Sequence, residues 1–279
     1  MKPQISALIL AGQREGVVDA LCEAAGITWK ALLPIHGRPM TDYVLNALAA
    51  SPRVKAPHWI SGLDIKLLSG SFHQSPSAAG PASSIVVAAE AGIPYPFLVT
   101  TCDHPLLTAD MVETFIDGAE QSGADFALGL APKTIIQPAY PHVKRTYLKF
   151  KDVHVSGCNL FYVKNEAGLE AIRFWQAAQN DRKKPWKLAS RMGVGTLLRY
   201  LTGGLTLDGA FAYASKRLKI SAKPVLLPFA ERLTQIFDFL FGQYSEYQTL
   251  DVVLEIVAVV FGFLSVWFSR KNNILVFPT

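Results

Sequence analysis

Cysteine is scarce in this chain. There are three in 279 residues, an odd number, and Cys22, Cys102 and Cys158 show no CxxC or Cys/His spacing. That excludes a disulfide framework and a thiolate metal site, and it fits free thiols in a reducing compartment. Charge is also thin, at 18% Asp, Glu, Lys and Arg. The net charge is +5, but apart from Arg182-Lys183-Lys184 and the Lys216–Lys219 stretch the basic residues are scattered. A solvated basic face, with part of the charge serving an anionic ligand, accounts for this better than a nucleic-acid surface. There is no internal repeat, no low-complexity tract and no N-terminal signal pattern, because the only early apolar run is short and belongs to the first strand.

What is present is an excess of apolar residues, 50% of the chain with a mean hydropathy of +0.24, and an alternation of strand and helix signals. Residues 7–11 read as a buried strand. The strand breaks at Gly12, polar residues 13–16 follow, and a weaker apolar run at 31–35 comes directly after Lys30. A glycine-containing loop with an arginine, followed by a lysine, suits a polyphosphate, because backbone N–H groups approach an anion closely at glycine and the cations add fixed charge. A plain strand–loop–helix with turn glycines would share the glycines.

Further along, the spacing predicts a helix over 40–50, short strands at 59–60 and 65–68, and a Gly/Ser/Pro-rich loop over 70–81. A helix is expected over 83–91 with Ser83 or Ser84 at its N-terminus. A strand at 97–101 runs into Asp103, and an acid at the C-terminal end of a parallel strand sits where open α/β sheets bind ligands. Asp103 could cap the helix that begins near Thr108. Thr108 and Asp110 can serve that end themselves, which favours a metal role for Asp103, whose hard carboxylate oxygen suits Mg²⁺. A helix at 111–122 and a strand at 126–130 follow, then a proline-rich loop over 132–147. Strands are expected at 147–150 and 153–155, with a turn or ligand contact at Gly157 and Asn159. Helices over 165–179, 186–201 and 206–218 and a last strand over 219–227 complete the pattern.

The stretch LAGQREG followed by WKALLPIHGRPM resembles the start of the MobA-like nucleotidyltransferases, whose pattern is L-A-G-G-x-G-x-R, then P-K and G-x-P. Leu10, Ala11, Gly12, Arg14, Lys30, Gly37 and Pro39 carry the match. Gln13 replaces a second glycine, Trp29 replaces the proline before the lysine, and the loop from Gly16 to Lys30 is long. Asp103 and Pro105 match the family's D-x-P, and Gly157-Cys158-Asn159-Leu160 matches its G-x-N-L.

The resemblance implies a three-layer, Rossmann-like (GT-A-like) α/β domain over residues 1–231 that transfers a nucleotidyl group from an NTP to a small phosphorylated or hydroxylated acceptor. It implies nucleotide contacts from Leu10, Ala11, Gly12, Gln13, Gly16, Ser83 and Ser84. Arg14 and the Gly12 loop would hold the β- and γ-phosphates, Lys30 would act on the α-phosphate, and Asp103 would hold Mg²⁺. Gly157 and Asn159 would line the acceptor side. The family's D-x-D element after the last strand, a second metal carboxylate, has no counterpart here, which implies weakened Mg²⁺ binding. Asp103-His104-Pro105 is not D-x-D, which lowers the reading of a nucleotide-sugar glycosyltransferase.

Residues 232–279 differ in character. The stretch 252–268, VVLEIVAVVFGFLSVWF, is apolar on all sides except for Glu255 and Ser265, and at 17 residues it reaches the lower limit for a membrane span. Trp267 and Arg270-Lys271 sit where interfacial anchors would. Residues 237–279 resemble the first segment of the PnuC-type nicotinamide riboside transporters. A transferase domain in the cytoplasm, joined to a transporter-like segment that touches the membrane, is one expectation; a membrane-associated protein with a non-catalytic first domain is the other.

Overall fold

The structure is a computed structural model, and it describes residues 2–13, 20–139, 147–181 and 194–228. Eight strands form one sheet in the order β10-β7-β9-β6-β1-β4-β5, with β8 pairing on β9. The strands are β1 (Ser6–Leu10), β4 (His58–Ser61), β5 (Phe72–Ser75), β6 (Phe97–Thr101), β7 (Phe126–Pro132), β8 (Leu148–Lys149), β9 (His154–Val163) and β10 (Ala222–Leu226). A separate two-strand hairpin, β2 (Pro34–Ile35) with β3 (Arg38–Pro39), follows a 3₁₀ turn at Lys30–Leu32. The sheet is parallel apart from β9, which pairs antiparallel with β6, β7 and β8.

Both faces of the sheet are covered, which is why its inner strands read as unbroken apolar runs. Ala7 and Ile9 of β1 pack toward α2 (Met40–Ala50) and α4 (Ala109–Gln121). Leu8 and Leu10 point the other way, into a core shared with α3 (Pro81–Glu90) and α6 (Glu166–Asp181). The same core takes residues of α8 (Leu207–Leu218). Among the described residues the remaining helices are α1 (Ala20–Ala25), α5 (Lys133–Ala139) and α7 (Val194–Leu201). The result is the three-layer α/β arrangement that the alternating pattern implies. Trp175 of α6 is fully buried and stacks on Phe161 of β9, with ring centroids 5.4 Å apart.

Four local expectations are corrected. Residues 65–68 form a 3₁₀ turn over Ile65–Leu67, because the Asp64 side chain accepts a hydrogen bond from the Lys66 backbone N–H at 3.0 Å and closes the turn locally. Within the expected loop 70–81 lies β5, an edge strand whose polar sequence has no alternation to mark it. The loop over 132–147 begins with α5; burial of Ile136 holds this turn of helix in place despite Pro138. Lastly, α3 begins at Pro81 with Gly80 as its N-cap. Proline fits the first helical position because it has no N–H to leave unpaired, so Ser83 and Ser84 lie inside the first turn.

Most of the chain's C-terminal segment, including residues 237–279 and the apolar stretch 252–268, lies outside the described residues. Among the described residues no helix is long and apolar enough to cross a membrane.

Candidate active site

Two neighbouring parallel strands end side by side. Leu10 of β1 is in register with Thr101 of β6, and the Cys102 N–H donates to the Leu10 carbonyl at 3.0 Å. The loop starting at Ala11-Gly12 and the turn carrying Asp103 therefore leave the same edge of the sheet, the edge where open α/β sheets bind ligands. Lys30 comes to this point from the 3₁₀ turn, and its Nζ lies 3.6 Å from Asp103 Oδ2. Both side chains are largely enclosed, at 14% and 29% exposed.

Asp103 is free for this role because α4 is capped elsewhere: the Thr108 hydroxyl accepts from the Met111 N–H at 3.4 Å. Thr101 donates its hydroxyl to Asp103 Oδ1. Burial alone would raise the Asp103 carboxyl, but the positive charge of Lys30, then His104 and the Thr101 hydrogen bond, outweigh it and hold the carboxyl below the ordinary carboxylate range. The adjacent Cys102 thiol behaves oppositely. Burial and then the charge on Asp103 push it up to about 12, so it is a neutral thiol and no nucleophile at physiological pH.

Asn159 reaches the site by an irregularity in β9. Leu128 of β7 faces Phe161, but Leu130 faces Gly157, so three residues of β9 stand opposite one of β7. Asn159 occupies the middle of this bulge with φ +48°, a left-handed conformation that Asn tolerates better than most residues. Its amide Nδ2 donates to Thr101 Oγ1 at 3.4 Å. A chain of contacts thus runs Asn159–Thr101–Asp103–Lys30. Sequence pattern suggested a turn at Gly157-Asn159; instead the strand continues through the bulge, with Gly157 buried and paired.

The nucleotide-side residues divide. Leu10 and Ala11 are buried, and the Ala11 N–H donates to the Ser61 carbonyl at 2.8 Å. Gly12 and Gln13 are exposed. Gln13, standing where a glycine was expected, donates from Nε2 to the Thr28 carbonyl at 2.8 Å. Its Oε1 accepts from the Lys30 backbone N–H at 3.3 Å. The loop is thereby tied to the turn that presents Lys30. The Ser84 hydroxyl accepts from the Ala78 N–H at 3.1 Å, and the Ser83 hydroxyl from Gln176 Nε2 at 3.0 Å. Both serines hold the approach to α3 and the contact with α6. Arg14 and Gly16 lie outside the described residues.

Sequence reasoning missed Gly62. It follows β4 with φ +90°, and a Cβ there would meet Gly12 Cα at 2.3 Å and Gly12 N at 2.5 Å. Two backbones touch at this point, and only glycine permits both the conformation and the approach. Gln74 of β5 braces the turn: its Nε2 donates to the Leu63 carbonyl at 3.1 Å, and its Oε1 accepts from the Ile65 N–H at 3.0 Å. Nothing in the local sequence distinguishes Gly62 from an ordinary turn glycine.

Comparison with known proteins places the chain in a family. Residues 7–150 match the profile of the MobA-like NTP transferase domain. A solved hypothetical transferase from Thermus thermophilus is 29% identical, with a TM-score of 0.71 over 82% of this chain and 94% of that one. The structure of CMP:2-keto-3-deoxy-manno-octonic acid synthetase complexed with CTP is 14% identical, with a TM-score of 0.46 over 79% and 90% of the two chains. No curated protein matches the chain. With more than half of its length in that profile, and with Gly12, Lys30 and Asp103 inside the matched span, the chain belongs to the MobA-like NTP transferase domain family.

Proposed function

We propose that this chain moves a nucleotidyl group from an NTP to a phosphorylated or hydroxylated small-molecule acceptor, with release of pyrophosphate. The observation that carries this reading is the Lys30–Asp103 pair, 3.6 Å apart, where two parallel strands end beside the Gly12 loop. Asp103 is held ionised and Lys30 is anchored through its backbone to Gln13, so both charges are in place before any substrate binds. Donors and charges fixed in advance stabilise developing charge without reorganisation.

The residues fit Mg²⁺ as the cofactor. Asp103 offers hard oxygen donors at the sheet edge, and among the described residues no cluster of three or more His, Cys, Asp or Glu side chains forms a cage. One carboxylate plus the phosphates of a bound nucleotide is an ordinary Mg²⁺ donor set. When bound, the ion would neutralise phosphate charge and orient the nucleotide.

The chain's own groups supply the rest. The backbone at Gly12, with Arg14, holds the β- and γ-phosphates. Lys30 balances the charge that builds on the α-phosphate. Asn159 and Gly157 border the side from which the acceptor comes. The acceptor oxygen attacks the α-phosphorus, a hydroxyl acceptor giving up its proton to solvent; the bond from that phosphorus to the β-phosphate oxygen breaks, and pyrophosphate leaves carrying the electron pair.

A thermal-shift screen of the four NTPs, each with and without Mg²⁺, tests the reading. One NTP is expected to raise the melting temperature only when Mg²⁺ is present, and pyrophosphate release should follow the same NTP once an acceptor is added. No Mg²⁺-dependent shift with any NTP would reject it. The proposed place of action is the cytoplasm, with membrane contact through residues 252–268; flotation of the full chain with liposomes checks that contact.

A further inference from the structure

The sheet edge that carries Asp103 carries a second feature. Because β6 and β7 both pair antiparallel with β9, they run the same way, and the C-terminal end of β7 shares the edge where β6 ends. From there α5 departs, and the turn from β8 into β9 faces it. Between them lies a groove of about 680 Å³. Helix α5 lines it with Lys133, Thr134 and Gln137, and the turn with Phe150, Lys151 and His154.

The groove is braced. Burial of Ile136 anchors α5. The Phe150 N–H donates to the Val153 carbonyl at 3.0 Å and the Lys151 N–H to the Leu205 carbonyl at 2.8 Å, which fixes the turn against the segment before α8. Lys133 lies over the Tyr147 ring, 5.6 Å from its centroid. Asp152, the one acid in the lining, accepts from the Leu207 N–H at 2.9 Å. Its carboxylate is thus engaged with the backbone at the start of α8, while two lysines stand at the groove with hydroxyl and amide donors beside them. Such a set of donors favours a compact oxyanion.

We propose that this groove seats a phosphate-bearing part of the acceptor, held by Lys133 and Lys151, with the acceptor's attacking oxygen lying back along β9 toward Asp103. The direction rests on the nucleotidyltransferase reading; the preference for phosphate does not. The two ends of the path, His154 and Asn159, are five residues apart on β9, on the order of 15 Å at strand rise and less through the bulge. The acceptor class is therefore a phosphorylated molecule whose phosphate is remote from the oxygen that attacks.

The test is calorimetric titration of the full chain with ribose 5-phosphate and with ribose, which differ only in the phosphate. It is run with the nucleotide site filled by Mg²⁺ and a non-hydrolysable analogue of the NTP that gives the largest thermal shift. Ribose 5-phosphate should bind at least tenfold more tightly than ribose. The double variant Lys133→Glu/Lys151→Glu should lose that difference while its affinity for the analogue stays within twofold. The neutral pair Lys133→Gln/Lys151→Gln should lose most of it, which guards against a folding effect of charge reversal. A parent that does not distinguish the two sugars, or a charge-reversed chain that still does, overturns the proposal. Failure of the nucleotidyltransferase reading looks different: the analogue then does not bind, yet the sugar discrimination and its loss in the variants persist when the titration is repeated without it.

Discussion

In the proposed reaction Lys30 and Asp103 have separable tasks, and two substitutions distinguish them. Lys30→Ala removes the charge proposed to act on the reacting phosphate. It should raise the barrier by about 3 kcal/mol, roughly a hundredfold in turnover, with a melting temperature within a few degrees of the parent; steady-state kinetics beside a thermal melt checks both. Asp103→Asn should abolish the Mg²⁺-dependent thermal shift with NTP. The pH dependence of stability has a definite sign. The folded carboxyl lies below its ordinary range, so its ionised form stabilises the fold above the unfolded value, and this contribution is lost as pH falls through the folded one. The urea midpoint of the parent relative to Asp103→Asn should accordingly be higher at neutral pH and converge on it in strong acid. Equal offsets at both ends of that range would show that Lys30, His104 and Thr101 do not hold the carboxylate. Asp103 was legible in the sequence because it follows the end of an apolar strand run, and Lys30 because the stretch around it resembles the MobA-like pattern. Gly62 was not. Its importance comes from a contact with Gly12 fifty positions away, and no local pattern records a contact of that kind.

At the level of the element, the turn after β4 and the bulge in β9 do the positioning. Gly62→Ala must relieve a 2.3 Å approach to backbone at positive φ, a change that should cost about 2 kcal/mol and weaken NTP binding beyond what the stability loss explains. Denaturant melts and NTP titration on the same variant measure the two effects. For β9, Asn159→Gly keeps the left-handed backbone but removes the hydrogen bond to Thr101, whereas Asn159→Val opposes the backbone itself. Glycine at this position should leave the melting temperature close to the parent's yet raise the Mg²⁺ requirement about tenfold, the usual effect of losing a second layer of support around a ligand. Valine should lower both stability and activity. The helices were read well from periodicity: α2, α4, α6 and α8 lie within about two residues of their expected limits at most ends. The elements that escaped were those whose residues lack a period. The edge strand β5 is polar, and β9 carries a glycine and an asparagine mid-strand that look like a stop until the bulge explains them.

For the molecule as a whole, parallel pairing with helices on both faces followed from the alternation of elements. The strand order did not, since β9 enters between β6 and β7 from later in the chain, and pairing of that kind has no local signature. The proposed transferase unit closes near residue 231, just after β10. A chain ending at residue 231 should therefore keep the parent's melting temperature and NTP-dependent shift while losing any association with liposomes. Loss of cooperative melting on truncation would place residues 232–279 within the folded unit.

Because β9 is threaded backwards between β6 and β7, the ligand edge is shared by two walls of different ancestry along the chain. One wall is made before residue 104 and would handle the nucleotide in the proposed reaction; the other is made after residue 126 and would face the acceptor. At that edge the Asn159 amide donates to the Thr101 hydroxyl and joins the two. Such a seam makes acceptor choice transplantable: exchanging the stretch from the end of β7 to the start of β9 for that of a relative should redirect the product while leaving the choice of base untouched.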